Sequence, residues 1–497
     1  MKYDTIPSRP APKTITGIIA ALAMSLATPL LADTSTWTGE ESNSWGDSRN
    51  WTAGVPGAGD TAIINSGSPN ADGSLSVAAL IIGGGTVYVG TANVEVLNIS
   101  GGTLAAATTT INSEGTWTGG DLRGQITIPT GAGVAIPSGS VRLNTSAVLS
   151  NSGTVTMSGG QIEGFNSTTI DNHGTWILNG HATPFTQFNG GNVFNNHGLL
   201  RKTGGTDPTN LSNSWTFNLN GETRCEAGEL RFATTVNLAT DALLSGTGTI
   251  RMTAATTHLS GVISETSASL VLDGATLSCT ETAAITGTLD WASGYISGSL
   301  TVPSGSTLEV KTDGFKRLNT SAILNIGGTY RWEGPAPVDG FNSCRVNILA
   351  GGTFDLAADG VPFSQFNGGN VLTNHGLLRK SAGGGTTFLT QWTYHQYGVI
   401  QCDTGAVECQ SDFRLHDGSS LTGGGEIRLN GSLSIDGNVT ESLNQFRMIG
   451  SSLTCNDPCQ LTGRLDWEAG TINGTLGIPP GSTLEVKTDG FKRLNTS

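Results

Sequence analysis

The sequence predicts an all-β protein, a right-handed parallel β-helix (β-solenoid), and two features carry this prediction. The first is composition: glycine is 71 of 497 residues and charged residues are 13%, about half of the roughly 25% that is usual in globular proteins. Thr, Val and Ile favour strands, whereas Gly and Asn favour the turns between them. The second is internal repetition at two scales, which is the sequence signature of a solenoid.

The shorter repeat consists of an apolar residue, Asn, one or two further residues, and Gly. It occurs at Asn151, Asn172 and Asn196, which are 21 and 24 residues apart. This spacing fits one turn of a parallel β-helix with three short strands. We interpret Asn and Gly here as positive-φ residues of tight turns. Roughly 22 residues per turn predicts about 20 turns, which stack into a rod on the order of 100 Å long.

The longer repeat has a period of about 175 residues. The motif Arg-Leu-Asn-Thr-Ser begins at Arg142, Arg317 and Arg493, at spacings of 175 and 176 residues. Gln-Phe-Asn-Gly-Gly-Asn (187–192) returns at 365–370. The predicted organisation comprises a signal peptide (1–32), a Trp-rich cap (33–75) and a solenoid (76–497) with units at about 117–290, 291–466 and 467–497. Because the chain stops soon after the third unit starts, we expect a truncated sequence.

The N-terminal segment predicts export. Lys2, Arg9 and Lys13 precede a short apolar run at 18–31, and cleavage is expected after Ala32. This run is shorter than the roughly 20 apolar residues of a membrane-spanning helix, and no later stretch approaches that length. The expected location is therefore secreted or at the cell surface, with no membrane span in the mature chain.

Charge and cysteine content limit the nucleic acid, metal and cofactor partners that the sequence allows. The net charge is −14, which argues against nucleic acid, because its binding requires basic patches. There is no metal-site spacing among the seven cysteines, and the sequence predicts no cofactor. Cys455 and Cys459 are the expected disulfide pair, whereas Cys225 and Cys279 are too far apart along the rod to be bonded. The oligomeric state stays open.

The N-terminal tryptophans, Trp37, Trp45 and Trp51, are interpreted as a cover over the exposed end of the solenoid. A carbohydrate-stacking platform is the alternative.

A resemblance rests on Trp37-Thr-Gly39, Asn50-Trp51 and Gly54-Val-Pro56, and on the Leu-Ser/Thr-Gly-x-Gly-x-Ile turns at 244–250 and 421–427. These segments resemble exported bacterial β-helical proteins of the autotransporter passenger type. The resemblance implies a non-catalytic adhesin or surface protein whose partner is carbohydrate or a host or neighbouring cell surface. It does not imply a ligand.

One ligand-binding site is suggested by a motif that recurs in both units. An Asn-His-Gly turn is followed by Arg-Lys in each, and the candidate residues are His197, Arg201, Lys202, His375, Arg379 and Lys380. They could bind an anion or a uronic sugar. The alternative is turn chemistry, because Asn and His tolerate the left-handed conformation better than most residues.

A polysaccharide-active β-helix enzyme, a lyase or a glycoside hydrolase, is the competing class. Hydrolysis requires two carboxylates a few ångströms apart on one face. No Asp-Asp or Gly-His-Gly motif is present, and the candidate acids Glu163, Asp171, Asp339 and Asp355 are scattered along the chain. The sequence therefore predicts no catalytic residues.

Overall fold

The structure, a computed structural model, describes residues 32–180, 182–212, 215–253, 255–266, 269–456 and 458–495. The predicted signal peptide lies outside these residues except for Ala32. Strands make up 61% of the described residues. Within the described ranges, the single helix is a short 3₁₀ helix at Ser48–Asn50.

The N-terminal part of the described chain, up to residue 204, contains the longest strands. Its strands are β1 (Thr34–Thr36), β2 (Thr61–Ile64), β3 (Asn70–Ile82), β4 (Thr86–Ile99), β5 (Thr103–Trp117), β6 (Asp121–Ile128), β7 (Gly133–Ile136), β8 (Ser140–Asn151), β9 (Thr154–Met157), β10 (Gln161–Gly164), β11 (Thr169–Asn172), β12 (Thr175–Asn179), β13 (Phe185–Gln187), β14 (Val193–Asn196) and β15 (Leu199–Gly204).

The middle of the chain consists mainly of strands of three to five residues. These are β16 (Thr209–Leu211), β17 (Thr216–Leu219), β18 (Glu222–Cys225), β19 (Glu229–Phe232), β20 (Val236–Leu238), β21 (Leu243–Gly246), β22 (Thr249–Thr253), β23 (Thr256–Leu259), β24 (Val262–Thr266), β25 (Ser269–Asp273), β26 (Thr276–Cys279), β27 (Ala284–Thr286), β28 (Thr288–Trp291), β29 (Gly294–Val302), β30 (Thr307–Val310), β31 (Lys316–Leu318), β32 (Ile323–Ile326), β33 (Thr329–Trp332), β34 (Val338–Phe341) and β35 (Arg345–Ile348).

The remaining strands complete the rod. They are β36 (Thr353–Leu356), β37 (Phe363–Asn367), β38 (Val371–Asn374), β39 (Leu377–Lys380), β40 (Thr386–Leu389), β41 (Thr393–Gln396), β42 (Val399–Cys402), β43 (Ala406–Cys409), β44 (Phe413–Leu415), β45 (Ser420–Leu429), β46 (Ser432–Ile435), β47 (Asn438–Met448), β48 (Ser452–Cys455), β49 (Cys459–Thr462), β50 (Arg464–Trp467), β51 (Gly470–Asn473), β52 (Leu476–Gly477), β53 (Thr483–Val486) and β54 (Lys492–Asn495).

The strands stack in parallel, each on the strand one turn later, and this confirms the predicted β-solenoid of about 20 turns. From β8 onward each turn contributes one strand to each of three faces. Face one begins with the first half of β8 and β10, face two with the second half of β8 and β11, and face three with β9 and β12. Four long strands, β8, β29, β45 and β47, each cover two faces. The right-handed sense stays a prediction.

The core lies along the axis inside the three faces. Burial alternates along the strands, as in β14, so that alternate side chains point inward. Equivalent positions of successive turns then stack, as Ile170, Phe194 and Phe217 do. All three are fully buried. A long, thin core is thus built from apolar columns that run parallel to the rod axis.

The recurring asparagines form a ladder inside this core. Asn151, Asn172 and Asn196 are fully buried. The Asn151 side-chain amide donates to Asn172 Oδ1 at 2.7 Å, and that of Asn172 donates to Asn196 Oδ1 at 2.8 Å. The second unit repeats the arrangement, with Asn374 donating to Gln396 Oε1 at 3.0 Å. The predicted spacing of the turns is therefore correct.

The conformation that we expected for these turns is wrong. Among the described residues, positive φ angles occur elsewhere and not at the Asn, His or Gly positions of these three turns. Glycine is needed for space instead, because a Cβ on Gly174 would lie 2.2 Å from the Gly153 carbonyl oxygen. The Asn-x-Gly pattern thus encodes a buried amide ladder beside a column of closely stacked glycines.

The 175-residue unit does not contain a whole number of turns. When strands that cover two faces are counted twice, 25 strand positions separate Arg142 in β8 from Arg317 in β31, and 25 more lead to Arg493 in β54. At three strands per turn, 25 positions are eight turns and one strand. The three copies of Arg-Leu-Asn-Thr-Ser therefore begin on faces one, two and three in succession.

The N-terminal tryptophans pack against each other. Trp51 lies edge-on to Trp37 and Trp45, with ring centroids 5.2 and 4.5 Å apart, and all three are buried. Strand β2 joins this segment to the solenoid by pairing with β3. Their role as a cover over the end of the rod stays a prediction.

The cysteines fall into two groups. Cys455 and Cys459 form a disulfide with Cα atoms 5.6 Å apart. Cys225 and Cys279 are both free, and the first is fully buried, the second partly. Burial raises the pKa of the Cys225 thiol, which is expected of a small, inert core side chain.

We expect Asn172→Ala to lower the free energy of unfolding by about 2–4 kcal/mol, because it removes the donor to the buried Asn196 Oδ1 and one of the two acceptors of the buried Asn151 amide. The matched control is Asn195→Ala, on the partly exposed side of the next turn, where water can replace the lost hydrogen bonds. Urea denaturation followed by circular dichroism measures both. An equal loss of stability in the two variants would contradict the role of the ladder.

Candidate functional site

The six residues predicted to bind a ligand do not form one surface site in either unit. Lys202 and Lys380 are fully buried. The Lys202 ammonium donates to the Gly204 carbonyl at 2.7 Å, and the Lys380 ammonium pairs with Asp359 at 2.7 Å. Burial also lowers the pKa of Lys202. The two lysines point inward because strand side chains alternate, so their assignment to a surface site is corrected here.

The neighbouring arginines point outward and pair with carboxylates one turn later. Arg201 donates to Glu226 at 3.0 and 2.9 Å, and Arg379 donates to Asp403 at 2.7 Å. Their charges are therefore already balanced by the solenoid itself. Binding of an anion at Arg201 and Arg379 stays a prediction, and it would require competition with these carboxylates.

The two predicted histidines belong to stacks of rings at the corners of the rod. His197 stacks on His173, with ring centroids 4.7 Å apart. His375 stacks on Tyr397, which stacks on His416 at 3.9 Å. The stacks follow from equivalent turns that lie directly above one another.

The candidate acids of the enzymatic alternative are each engaged across adjacent turns. Arginines donate to three of them and an amide to the fourth, in the pairs Arg142–Glu163 at 3.0 Å, Asn195–Asp171 at 2.6 Å, Arg317–Asp339 at 2.9 Å and Arg331–Asp355 at 2.5 Å. These contacts give the four carboxylates a structural role between turns.

A different surface feature recurs in both units and was missed by sequence reasoning. The first aromatic cluster consists of Arg142, Phe165 and Phe188. The two rings stack at 4.8 Å and 14°, and Phe188 is 70% exposed. A large apolar side chain that is this exposed indicates an interaction site, particularly when a second ring lies against it.

The second aromatic cluster consists of Phe315, Arg317, Phe341 and Phe366. Phe341 and Phe366 stack at 5.2 Å, and Phe366 is 64% exposed. The Arg317 guanidinium lies 4.8–5.1 Å from the centroids of all three rings, within the range of cation–π attraction. Arg317 also pairs with Asp339 at 2.9 Å, so the cluster presents apolar rings around a neutralised ion pair.

The loop that carries Phe188 is held by buried groups. Asn192 is fully buried and its side-chain amide donates to the carbonyls of Gly164 and Asn189 at 3.3 and 3.1 Å. The indole N–H of buried Trp215 donates to the Thr186 carbonyl at 2.7 Å. These bonds fix the backbone on both sides of the exposed ring.

The second unit keeps this support almost atom for atom. Asn370 donates to the carbonyls of Gly340 and Asn367 at 3.2 and 2.8 Å, and Trp392 donates to the Ser364 carbonyl at 2.9 Å. Gly340 is required, because a Cβ there would lie 2.5 Å from the Trp392 ring. Each of the two exposed clusters thus lies on its own buried support, and the two supports are equivalent.

The turn after the first stacked ring of each cluster adopts an uncommon conformation. Asn166 and Ser167 have φ angles of 57° and 62°, and Asn342 and Ser343 have 66° and 58°. Non-glycine residues rarely have positive φ. The sequence signal for these clusters was the recurrence of Gly-Phe-Asn-Ser and Gln-Phe-Asn-Gly-Gly-Asn in both units. The phenylalanine of each motif lies outside the buried core.

Comparison with known proteins gives no match: no family model, no curated protein and no solved structure is similar to the chain. Among the described residues, no group of three or more His, Cys, Asp or Glu side chains could hold a metal ion. The described part of the chain also contains no helix long and apolar enough to cross a membrane.

The ring stack that includes His375 predicts a pH response. His395 Nδ1 lies 3.1 Å from His416 Nε2, and Asp436 lies 3.2 Å from His416. Burial lowers the pKa of both histidines, with Arg414 contributing in each case. The folded chain therefore binds these protons less tightly than the unfolded chain, whose histidines titrate near about 6.5.

Stability near this stack should consequently fall as pH drops through about 6.5. Hydrogen exchange of peptides covering 393–416, compared at pH 7.5 and 5.5 after correction for intrinsic rates, measures the effect. We expect His416→Gln to reduce the loss of protection at the lower pH. His258→Gln, at an exposed histidine of the first unit, is the control. An undiminished loss in His416→Gln would show that the stack does not cause it.

Proposed function

We propose that the chain is a non-catalytic extracellular protein of the adhesin or surface-structure type. Export rests on the predicted signal peptide. Binding rests on one observation above all, the pair of equivalent aromatic clusters on a common buried support. The two units differ at many positions, yet both keep Phe165 or its equivalent Phe341, and Phe188 or its equivalent Phe366.

The chemistry of the clusters suits a carbohydrate or a protein surface better than a charged ligand. Exposed rings offer apolar area, and Arg142 and Arg317 are already paired with Glu163 and Asp339. An autotransporter-like secretion route is part of this proposal and follows only from the resemblance in the sequence.

A polysaccharide-active enzyme is kept as a second candidate because of Asp290. One of its oxygens is buried and, within the described structure, without a hydrogen-bond partner, and burial raises its pKa. Its equivalent Asp466 accepts from Lys487 and Arg464 at 2.7 and 2.9 Å and has a lowered pKa. Thr288 replaces Arg464 in the first unit, so Asp290 lacks that partner. A carboxyl group with a raised pKa is a feature of general acids.

A glycan array run beside a reducing-sugar assay on a panel of polysaccharides separates the two candidates. For the mature chain we expect glycan binding without release of reducing ends. Phe366→Ser should weaken binding, while Asp290→Asn should leave it unchanged. Turnover by the wild-type chain that Asp290→Asn abolishes would replace the binding function with the enzymatic one.

A further inference from the structure

We propose that face two, between the two aromatic clusters, binds a single chain of uncharged polysaccharide that lies along the rod axis. This inference rests on the proposed binding function and deepens it in two respects. It names the ligand class, and it makes the two clusters parts of one extended site. The outward side chains of face two from β17 to β29 are called the face-two surface below.

Both clusters border face two. Phe188 lies at the corner between β13 on face one and β14 on face two. Phe315 lies at the same corner six turns later, between β30 and β31. Arg317 of the second cluster points outward from face two itself, in β31. The rings of the two clusters are thus about 30 Å apart along one side of the rod at the inter-strand spacing.

The face-two surface between them is polar but uncharged. In this described part of the chain its side chains carry hydroxyl, amide, phenol and imidazole groups, and all are at least partly exposed. They form two columns along the axis, with one residue of each column in every turn. The first column is Thr216, Thr235, Thr256, Thr276 and Tyr295, and the second is Asn218, Asn237, His258, Ser278 and Ser297. A polymer on this surface meets no carboxylate, ammonium or guanidinium group.

The other two faces of the same turns carry ion pairs. On face one Arg251 pairs with Glu229 and Asp273 at 2.9 and 3.0 Å. On face three Arg224 pairs with Glu222 at 2.8 Å. The absence of such pairs from the described face-two surface distinguishes it from its neighbours. Since the whole chain carries a net charge of −14, an anionic polymer is also disfavoured.

An outer amide ladder fixes hydrogen-bonding groups at the start of this surface. Asn195 donates to Asp171 at 2.6 Å, and Asn218 in turn donates to Asn195 at 2.6 Å. Asn237 continues the ladder by donating to Asn218 at 2.6 Å. Each contact uses one N–H and one lone pair of an amide that has two of each. The ladder therefore presents a further donor and acceptor about every 4.8 Å along the axis.

Exposed rings at both ends and neutral polar groups between them match an uncharged polysaccharide. A sugar ring has an apolar C–H face that stacks on an aromatic side chain and hydroxyl groups that both donate and accept. Tyr295 extends the ring surface of the second cluster onto face two, because its ring lies edge-on to Phe315 at 5.9 Å. A protein partner would require a more apolar centre than these hydroxyl and amide columns provide.

Matched variants test the proposal. Thr256→Arg places a long side chain in the middle of the face-two surface, and Thr249→Arg, the same exchange on face one of that turn, is its control. Phe188→Ser and Phe315→Ser each remove a ring at one end, and Tyr88→Ser, at an exposed ring outside the clusters, is their control. All five side chains are at least partly exposed, and circular dichroism and thermal melting verify that each variant folds.

The probes are dextran, yeast α-mannan and β-1,3-glucan, immobilised for surface plasmon resonance, with polygalacturonate as the anionic comparison. We expect the wild-type chain and both control variants to bind at least one uncharged polymer. Thr256→Arg, Phe188→Ser and Phe315→Ser should each lower the apparent affinity by about ten-fold or more, because contacts along one ligand chain reinforce each other.

A size series of oligosaccharides from the polymer that binds measures the extent of the site. For the wild-type chain the affinity should rise with length until the ligand spans about 30 Å, the distance between the two clusters. For Thr256→Arg the affinity should stop rising at shorter ligands, because the new side chain interrupts the site.

The opposite results would overturn the proposal. Equal binding by Thr256→Arg and Thr249→Arg, or an affinity that does not change with ligand length, would restrict the site to a single cluster, and the proposed binding function would stand without the face-two surface. Preference for polygalacturonate would reject the ligand class. Binding to none of the three uncharged polymers would also reject it, and the glycan array would then decide separately whether the proposed binding function stands.

Discussion

The constraint on which the rest of the structure depends is the fixed distance between stacked turns, about 4.8 Å. Each position of one turn lies directly above the same position of the turn before it. Side chains must therefore be compatible with their own equivalents along the axis. Identical amides satisfy this condition by donating to each other, as Asn151, Asn172 and Asn196 do. Rings satisfy it by stacking, and arginines by alternating with carboxylates.

The same constraint explains how the outward side chains are held in place in a protein with few charged residues. Many outward side chains pair with a residue one turn away, and these pairs hold the turns together. The aromatic clusters differ because, in the described part of the chain, one ring of each stays largely exposed. Phe188 and Phe366 lie at the ends of their stacks and stay largely exposed. Their positions are fixed from inside by Asn192 and Asn370, so the exposed rings are held by the core.

Much of the fold could be predicted from the sequence because one turn leaves a visible period. The spacing of Asn151, Asn172 and Asn196 is the true turn length. The role of these asparagines could not be read in the same way, because an Asn-x-Gly pattern fits both a positive-φ turn and a buried ladder. The burial of Lys202 was predictable in principle. Leu200 is buried, and a residue two positions further along a strand shares its side.

The relation between the units was beyond sequence reasoning for a physical reason. Among the described strands of the solenoid, turn length varies from 17 residues between Thr86 and Thr103 to 26 between Arg345 and Val371. A unit of 175 residues therefore fits eight turns as well as eight turns and one strand. Only the pairing of strands distinguishes the two, and it decides whether equivalent motifs share a face.

The central claim is that equivalent motifs of successive units lie on successive faces of the solenoid. A crystal structure of the mature chain, at a resolution that shows side chains, tests this claim most directly. The account predicts that Arg142, Arg317 and Arg493 lie on three successive faces, with 25 strand positions between neighbouring copies and the Phe165–Phe188 and Phe341–Phe366 pairs at different corners. Motif copies that all lie on one face, separated by a whole number of turns, would contradict it.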